Sequence, residues 1–177
     1  MKNINLDNVQ EASDFKRLCA GGYIAVITAV EDVPGKEYLR VEYDIAEGEY
    51  TGYYKELSDS LKFWGGRFYR SYKETALPFF KSFVTSVEAS NSGFKFGNDE
   101  TAFIGKHVGI ILGEEEYIGN DGATKVRVNV ESTRSVQAIK DGDFEIPEFK
   151  ALPSSGPTST DSSFVSVSDG DEELPFN

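Results

Sequence analysis

The sequence predicts a mainly β body of five strands with one helix between the third and fourth, followed by a tail that does not fold with it. Three observations carry this prediction. Runs rich in Val, Ile, Thr and Tyr recur between Gly, Pro and Asn turns; one segment alone repeats apolar residues at helical spacing; and from residue 151 the composition shifts to Ser, Thr, Pro and Gly. At 177 residues, with 39% hydrophobic and 13% aromatic content, the chain suits one packed domain plus an appendage.

The elements follow in order. Residues 7–18 are polar with scattered apolar side chains and are read as one short helix stopped by Gly21 and Gly22. Residues 23–33 (YIAVITAVEDV) are apolar on both alternating faces, as in a strand covered on both sides. Pro34 and Gly35 turn the chain, and 36–45 alternate, with Leu39, Val41, Tyr43 and Ile45 on one face and Tyr38, Arg40, Glu42 and Asp44 on the other. After Gly48, residues 49–55 (EYTGYYK) read as a short third strand. Residues 57–73 show no clean period and are expected to form an ordered loop or short helix. Thr75 is placed to cap a helix with Pro78 in its first turn and Leu77, Phe80, Val84 and Val87 inward, ended by Asn91, Ser92 and Gly93. Residues 107–116 give a fourth strand, the turn at 119–122 closes a hairpin, and 125–136 return with Val126, Val128 and Val130 inward and Lys125, Arg127 and Asn129 outward. No internal repeat is apparent. Three strands, a helix and two strands is the element order of an OB-fold barrel.

The domain boundaries follow: 1–150 as the folded body with 1–20 peripheral, 151–168 as a flexible linker, and 169–177 as an acidic tip. The formal charge is −12, but residues from 151 onward hold five acids and no base, which leaves a body of −7. Within that acidic body one enclave is basic. Residues 53–81 carry Lys55, Lys62, Arg67, Arg70, Lys73 and Lys81 against Glu56, Asp59 and Glu74. Interleaved with them are Tyr53, Tyr54, Phe63, Trp64, Phe68, Tyr69 and Tyr72, the mixture with which single-strand binders stack bases and neutralise phosphates. Outward-facing Lys125, Arg127 and Arg40 are further nucleic-acid candidates. Closure of one end of a barrel is the other use for such rings.

Other chemistries find little support. One cysteine and one histidine exclude a disulfide framework and a zinc site of Cys and His ligands. There is no phosphate loop of the GxxxxGK[ST] kind, and His107 sits in an apolar-flanked run without a plausible nucleophile. Glu114, Glu115 and Glu116, or Asp141 and Asp143, lie at strand ends or turns where acids are ordinarily solvated, so a metal-dependent nuclease is disfavoured. A non-enzymatic protein with no cofactor is expected. No apolar run reaches membrane-spanning length and the charged N-terminus is unlike a signal peptide, which makes the cytoplasm the expected compartment.

The last nine residues, DGDEELPFN, are the most specific stretch. Asp169, Asp171, Glu172 and Glu173 precede Leu174, Pro175 and Phe176, an apolar tip with no neighbouring hydrophobic run to pack against. This ending resembles the C-terminal interaction peptide of bacterial and phage single-stranded-DNA-binding proteins, although Asn177 follows the Phe. The runs GGYIAVITAVEDVPGKEYL, DIAEGEYTGYYK and FWGGRFYRSYK further resemble a group of small proteins from replication modules of phages and prophages of Gram-positive bacteria, over residues 20–150. The resemblance implies an OB-fold body that coats single-stranded DNA in a bacterial host cell and a tip that recruits replication or recombination enzymes, with homo-oligomerisation left open. The alternative is an adaptor whose barrel binds protein rather than DNA.

Overall fold

A computed structural model describes residues 17–62 and 64–153. In chain order these form β1 (Gly21–Val33), β2 (Tyr38–Ile45), α1 (Tyr53–Leu61), β3 (Arg67–Ser71), α2 (Leu77–Ser90), β4 (His107–Ile118), β5 (Thr124–Arg134) and α3 (Val136–Asp141). The strands make a single antiparallel sheet in the order β3-β2-β1-β4-β5. It is open, because among the described residues β3 and β5 are not bonded to each other.

The core lies on one face of this sheet. Leu39, Val41, Tyr43 and Ile45 of β2 are all buried, as their alternation predicts. Ala25 and Ile27 of β1 and Val108, Ile110 and Leu112 of β4 join them, and α2 closes the layer with Phe83 and Val87 fully buried. An aromatic cluster fills the space below the helix. Phe83 lies 5.0 Å from Phe103 and 5.8 Å from Phe68, and Phe96 stacks on Phe103 at 4.7 Å between ring centroids. Such pairs add about 0.5–1.5 kcal/mol each beyond the area they bury.

Strands 1, 2, 4 and 5 and the helix before β4 fall where the sequence places them; other expectations are overturned. Residues 49–55 are not a strand, since the chain turns at Gly52 (φ 77°) and enters α1. The reason is Asp44. Its carboxylate, buried at the end of β2, accepts hydrogen bonds from the backbone N–H groups of Ile45 (2.8 Å), Tyr54 (2.9 Å) and Lys55 (3.2 Å). It therefore caps α1 from another element, where the helix's own N-cap residue, Gly52, has no side chain to do so. Asp44 was expected on the solvated face of its strand, with no such partner in view. In the segment expected as a loop or short helix, residues 57–61 are helical as the end of α1, and the third strand is Arg67–Ser71, pairing with β2 from Arg67↔Glu42 to Ser71↔Tyr38. The apolar stripe of α2 is also rotated: Phe80, Phe83, Val84 and Val87 face the core, whereas Leu77 is 46% exposed and Thr75 makes no capping bond.

Beyond β5, α3 is capped by Ser135 and ends at Gly142 (φ 72°). The chain then crosses the sheet as a strap. Phe144 seats on Gly22, where an added Cβ would lie 2.4 Å from the ring, and Lys150 bonds through its backbone to Glu114 (3.0 Å) and Glu116 (2.8 Å). Leu18, part of the segment read as an N-terminal helix, is non-helical and buried in the core. The rest of that segment through residue 16, Phe63, the linker from 154 and the tip residues Asp169, Asp171, Glu172, Glu173, Leu174, Pro175 and Phe176 lie outside the described residues.

These contacts rank substitutions by cost. Phe83→Ala should destabilise the fold by about 3–5 kcal/mol through its cavity. Asp44→Ala should cost about 1–3 kcal/mol for each buried N–H it strands, and Thr75→Ala should stay within about 0.5 kcal/mol. Urea unfolding of the three variants reads this order directly, and equal losses for Asp44→Ala and Thr75→Ala would remove the capping account.

Candidate nucleic-acid interface

The predicted basic and aromatic residues separate into three environments. The first is the core. Phe68 is buried against Tyr43 and Phe83, and Tyr54 is buried with its hydroxyl 3.3 Å from that of Tyr43. Burial pushes both phenols above their ordinary pKa, Tyr43 well above it. Tyr53 packs at the start of α1 with its ring 5.1 Å from that of Tyr54. Trp64 is half-buried, 6.4 Å from the Tyr54 ring, and its indole N–H donates to the Gly66 carbonyl at 2.9 Å. Phe68 and Tyr54 are therefore unavailable for stacking, and the position of the tryptophan is fixed by its own hydrogen bond.

The second environment is a set of cations already paired with carboxylates. Arg67 on β3 donates to Glu42 on β2 (2.8 and 3.2 Å), and this bond holds its pKa above the ordinary arginine value. Arg40 pairs with Glu31 across β1 and β2. Lys125 is bound to Asp121 (2.7 Å), and Arg127 to Glu115 with its guanidinium 5.2 Å over Tyr117. The bonds from Arg127 and Lys125 pull the pKa of Glu115 and of Asp121 down, so these two acids stay ionised at neutral pH. Tyr72 belongs here too: its hydroxyl donates to Asp32 at 2.7 Å, which pushes its pKa up to about 12. A phosphate would have to displace a carboxylate at every one of these positions.

The third environment is open. Among the described residues no carboxylate pairs with Lys55, Lys62, Lys73 or Arg70. The lysines are exposed; Lys62 donates to the Asp59 carbonyl (2.9 Å). Arg70 is half-buried, 4.6 Å over the Phe68 ring, with one N–H donated to the Tyr69 carbonyl (3.0 Å). Burial alone lowers its pKa to about 10, so it remains a cation at neutral pH. The register explains its position. Tyr43 N–H bonds Gly66 and Tyr72 N–H bonds Glu37, so residues 66, 68, 70 and 72 direct their backbone groups at β2, while Tyr69 directs its carbonyl to the free edge of β3. Arg70 thus covers an edge carbonyl that would otherwise be open to strand addition.

Arg70 faces a cleft of about 430 Å³ between the free edge of β3 and β5, floored by the first turns of α2. Tyr69, 52% exposed and steadied by an edge contact to Tyr38 at 5.2 Å, stands on one wall. Phe79, 73% exposed, and Arg134, on the opposite strand, complete it. Arg134 donates to the Thr133 carbonyl at 3.0 Å and has no carboxylate partner among the described residues. Glu131, which also lines the cleft, is neutralised by Lys150 at 2.8 Å. The cleft therefore offers two guanidinium groups outside any ion pair among the described residues and the exposed ring of Phe79, with Tyr69 at its rim. Sequence reading found Tyr69 and Arg70 but missed Phe79 and Arg134. Phe79 is legible as the phenylalanine that falls off the stripe of 80, 83, 84 and 87; Arg134 lies beyond a register shift opposite Ile111 and Leu112 that breaks the alternation of β5.

The Tyr72–Asp32 bond gives a pH test with a definite sign. The folded state keeps Tyr72 protonated above the ordinary value of 10, so its stabilising contribution is complete below pH 10 and is lost as pH rises through about 12. In a tyrosinate absorbance titration, Asp32→Asn should move one tyrosine from the late-ionising group to the ordinary range; an unchanged titration would exclude the bond.

In comparisons with known proteins, no family model matches this chain and no curated protein matches it, so the functional reading rests on the geometry of the cleft and on the sequence.

Proposed function

We propose that the chain is a non-enzymatic single-stranded-DNA-binding protein of the OB type, acting in phage replication or recombination, that holds the strand in the β3–β5 cleft and recruits partner enzymes through its C-terminal tip. The observation that carries this reading is the meeting of Arg70 and Arg134, neither ion-paired with a carboxylate among the described residues, with exposed Phe79 and with Tyr69 at the rim of one groove, while Arg40, Arg67, Lys125 and Arg127 are each held by a carboxylate. Point cations and ring faces without an array of base-edge donors and acceptors suit sequence-tolerant single-strand binding. The strand order supports the fold assignment: β3-β2-β1-β4-β5 is the order of an OB barrel cut between its third and fifth strands, and α2 lies between the third and fourth. OB-folds bind oligonucleotides on strands two and three and the adjoining loops, the region to which β3 belongs. The tip's resemblance to the interaction peptide of single-stranded-DNA-binding proteins supports the recruiting role.

Fluorescence anisotropy with labelled oligo(dT) tests it. Binding should weaken with salt by about 0.7 in log K per log salt for each phosphate neutralised. Arg70→Ala and Arg134→Ala should each flatten that slope, and Tyr69→Ala should cost about 1–3 kcal/mol. Arg127→Ala, whose cation is occupied by Glu115, should change binding less than either. No binding by the parent protein at low salt would favour the protein adaptor instead.

A further inference from the structure

One short stretch corrects the expectation of no internal repeat: the strap that follows α3 shares a seven-residue pattern with the C-terminal tip. Residues 141–147 read DGDFEIP and residues 169–175 read DGDEELP, with identity at Asp, Gly, Asp, Glu and Pro and an Ile-for-Leu exchange. The strap's own surroundings show what the two copies share. Phe144 is the side chain that anchors the strap on Gly22, and the tip has Glu172 at that position. The anchor is the difference. Asp143, Glu145 and Ile146, which have counterparts in the tip, are exposed, Ile146 at 60%; Phe149 beyond them is exposed at 50%. Of the shared positions, Gly142 is set by the left-handed end of α3 and Pro147 lies near Gly113, whereas Asp141, Asp143, Glu145 and Ile146 face outward, where packing of the strap on this sheet does not require them.

The strap's carboxylates make no ion pair among the described residues, although Arg134 lines one pocket with Asp143, Glu145 and Glu148. The lysines that bracket it are turned onto other elements, Lys140 to Glu47 (3.0 Å) and Lys150 to Glu131 (2.8 Å). Among the described residues no cation pairs with Asp141, Asp143, Glu145 or Glu148; Asp141 accepts only from the Gln137 amide at 2.8 Å. Acids around an exposed aliphatic side chain and a proline, held at both ends, form a rigid epitope, whose binding costs less ordering entropy than that of an unanchored peptide.

We propose that the strap at 141–149 is a second docking epitope of the same chemistry as the tip, recognised by a protein surface with a basic rim around a small apolar pocket, so that each chain carries two equivalent hooks. The proposal rests on the reading of the tip as a hook and is independent of DNA binding in the cleft. Two hooks on one chain raise the effective concentration of the second contact once the first is made.

The test uses the full chain and a probe of the stated chemistry, the peptide KWKLK, followed by amide NMR shifts. Two peptides should bind per chain, one shifting residues 141–149 and the other 169–176, in the same concentration range. The control KGKGK, equal in charge and lacking apolar side chains, should bind neither. Glu145→Lys with Ile146→Ser should abolish the first site alone, and Glu173→Lys with Leu174→Ser the second alone, with the sheet resonances unchanged in both. Binding at the tip only would overturn the second epitope and leave the tip's role standing. Binding at the strap only, or equal binding of KGKGK, would overturn the shared chemistry.

Discussion

Asp44 joins the two halves of this fold. A carboxylate at the end of a strand, buried and bonded to three backbone N–H groups, fixes where β2 stops and where α1 starts. Without it the first turn of the helix would present unsatisfied donors to the core, at a cost of the same order as a lost buried hydrogen bond. Once α1 is set, Tyr54 can bury its ring against Tyr43 and Gly66, where an added Cβ would lie 2.2 Å from the Tyr43 carbonyl. That close approach brings the chain back beside β2 as β3, and the position of β3 defines one wall of the cleft.

The cleft itself is a consequence of leaving the sheet open. A free edge normally invites another strand, and here the Arg70 guanidinium covers the carbonyl of Tyr69 on that edge. The same bond holds the cation at the mouth of the gap. Elsewhere the arrangement runs the other way: Glu31, Glu42, Glu115 and Asp121 occupy the cations opposite them. Arg70 and Arg134 stay outside such pairs among the described residues, and screening over roughly 8 Å limits how far the acids of the remaining surface act on that groove.

The strap and the ending of the chain share one short sequence. In residues 141–147 a phenylalanine ties it to a glycine socket, and in residues 169–175 a glutamate replaces that anchor. The surrounding carboxylates, aliphatic residue and proline are unchanged in kind.

The alternation of β2, the paired runs of β4 and β5 around a glycine turn, and the apolar content of β1 are local patterns, and the sequence by itself determined those strands. It also determined the change of composition at residue 151 and the specific ending at 169–176. What it did not contain was the partner of each side chain. Tyr53 and Tyr54 suit a strand or a helix equally, and only the carboxylate of Asp44, brought alongside by the fold, decided for the helix. Arg67–Ser71 is too short to show a period of its own and became a strand because β2 offered an unpaired edge. The basic enclave was legible as a list of residues but not as a site: burial removed Phe68 and Tyr54, carboxylates from neighbouring strands took Arg67, Arg40, Lys125 and Arg127, and Arg134 joined Arg70 from the far edge of the sheet. Charge in a sequence is a sum over residues, whereas the field a ligand meets depends on which charges the tertiary structure has already paired.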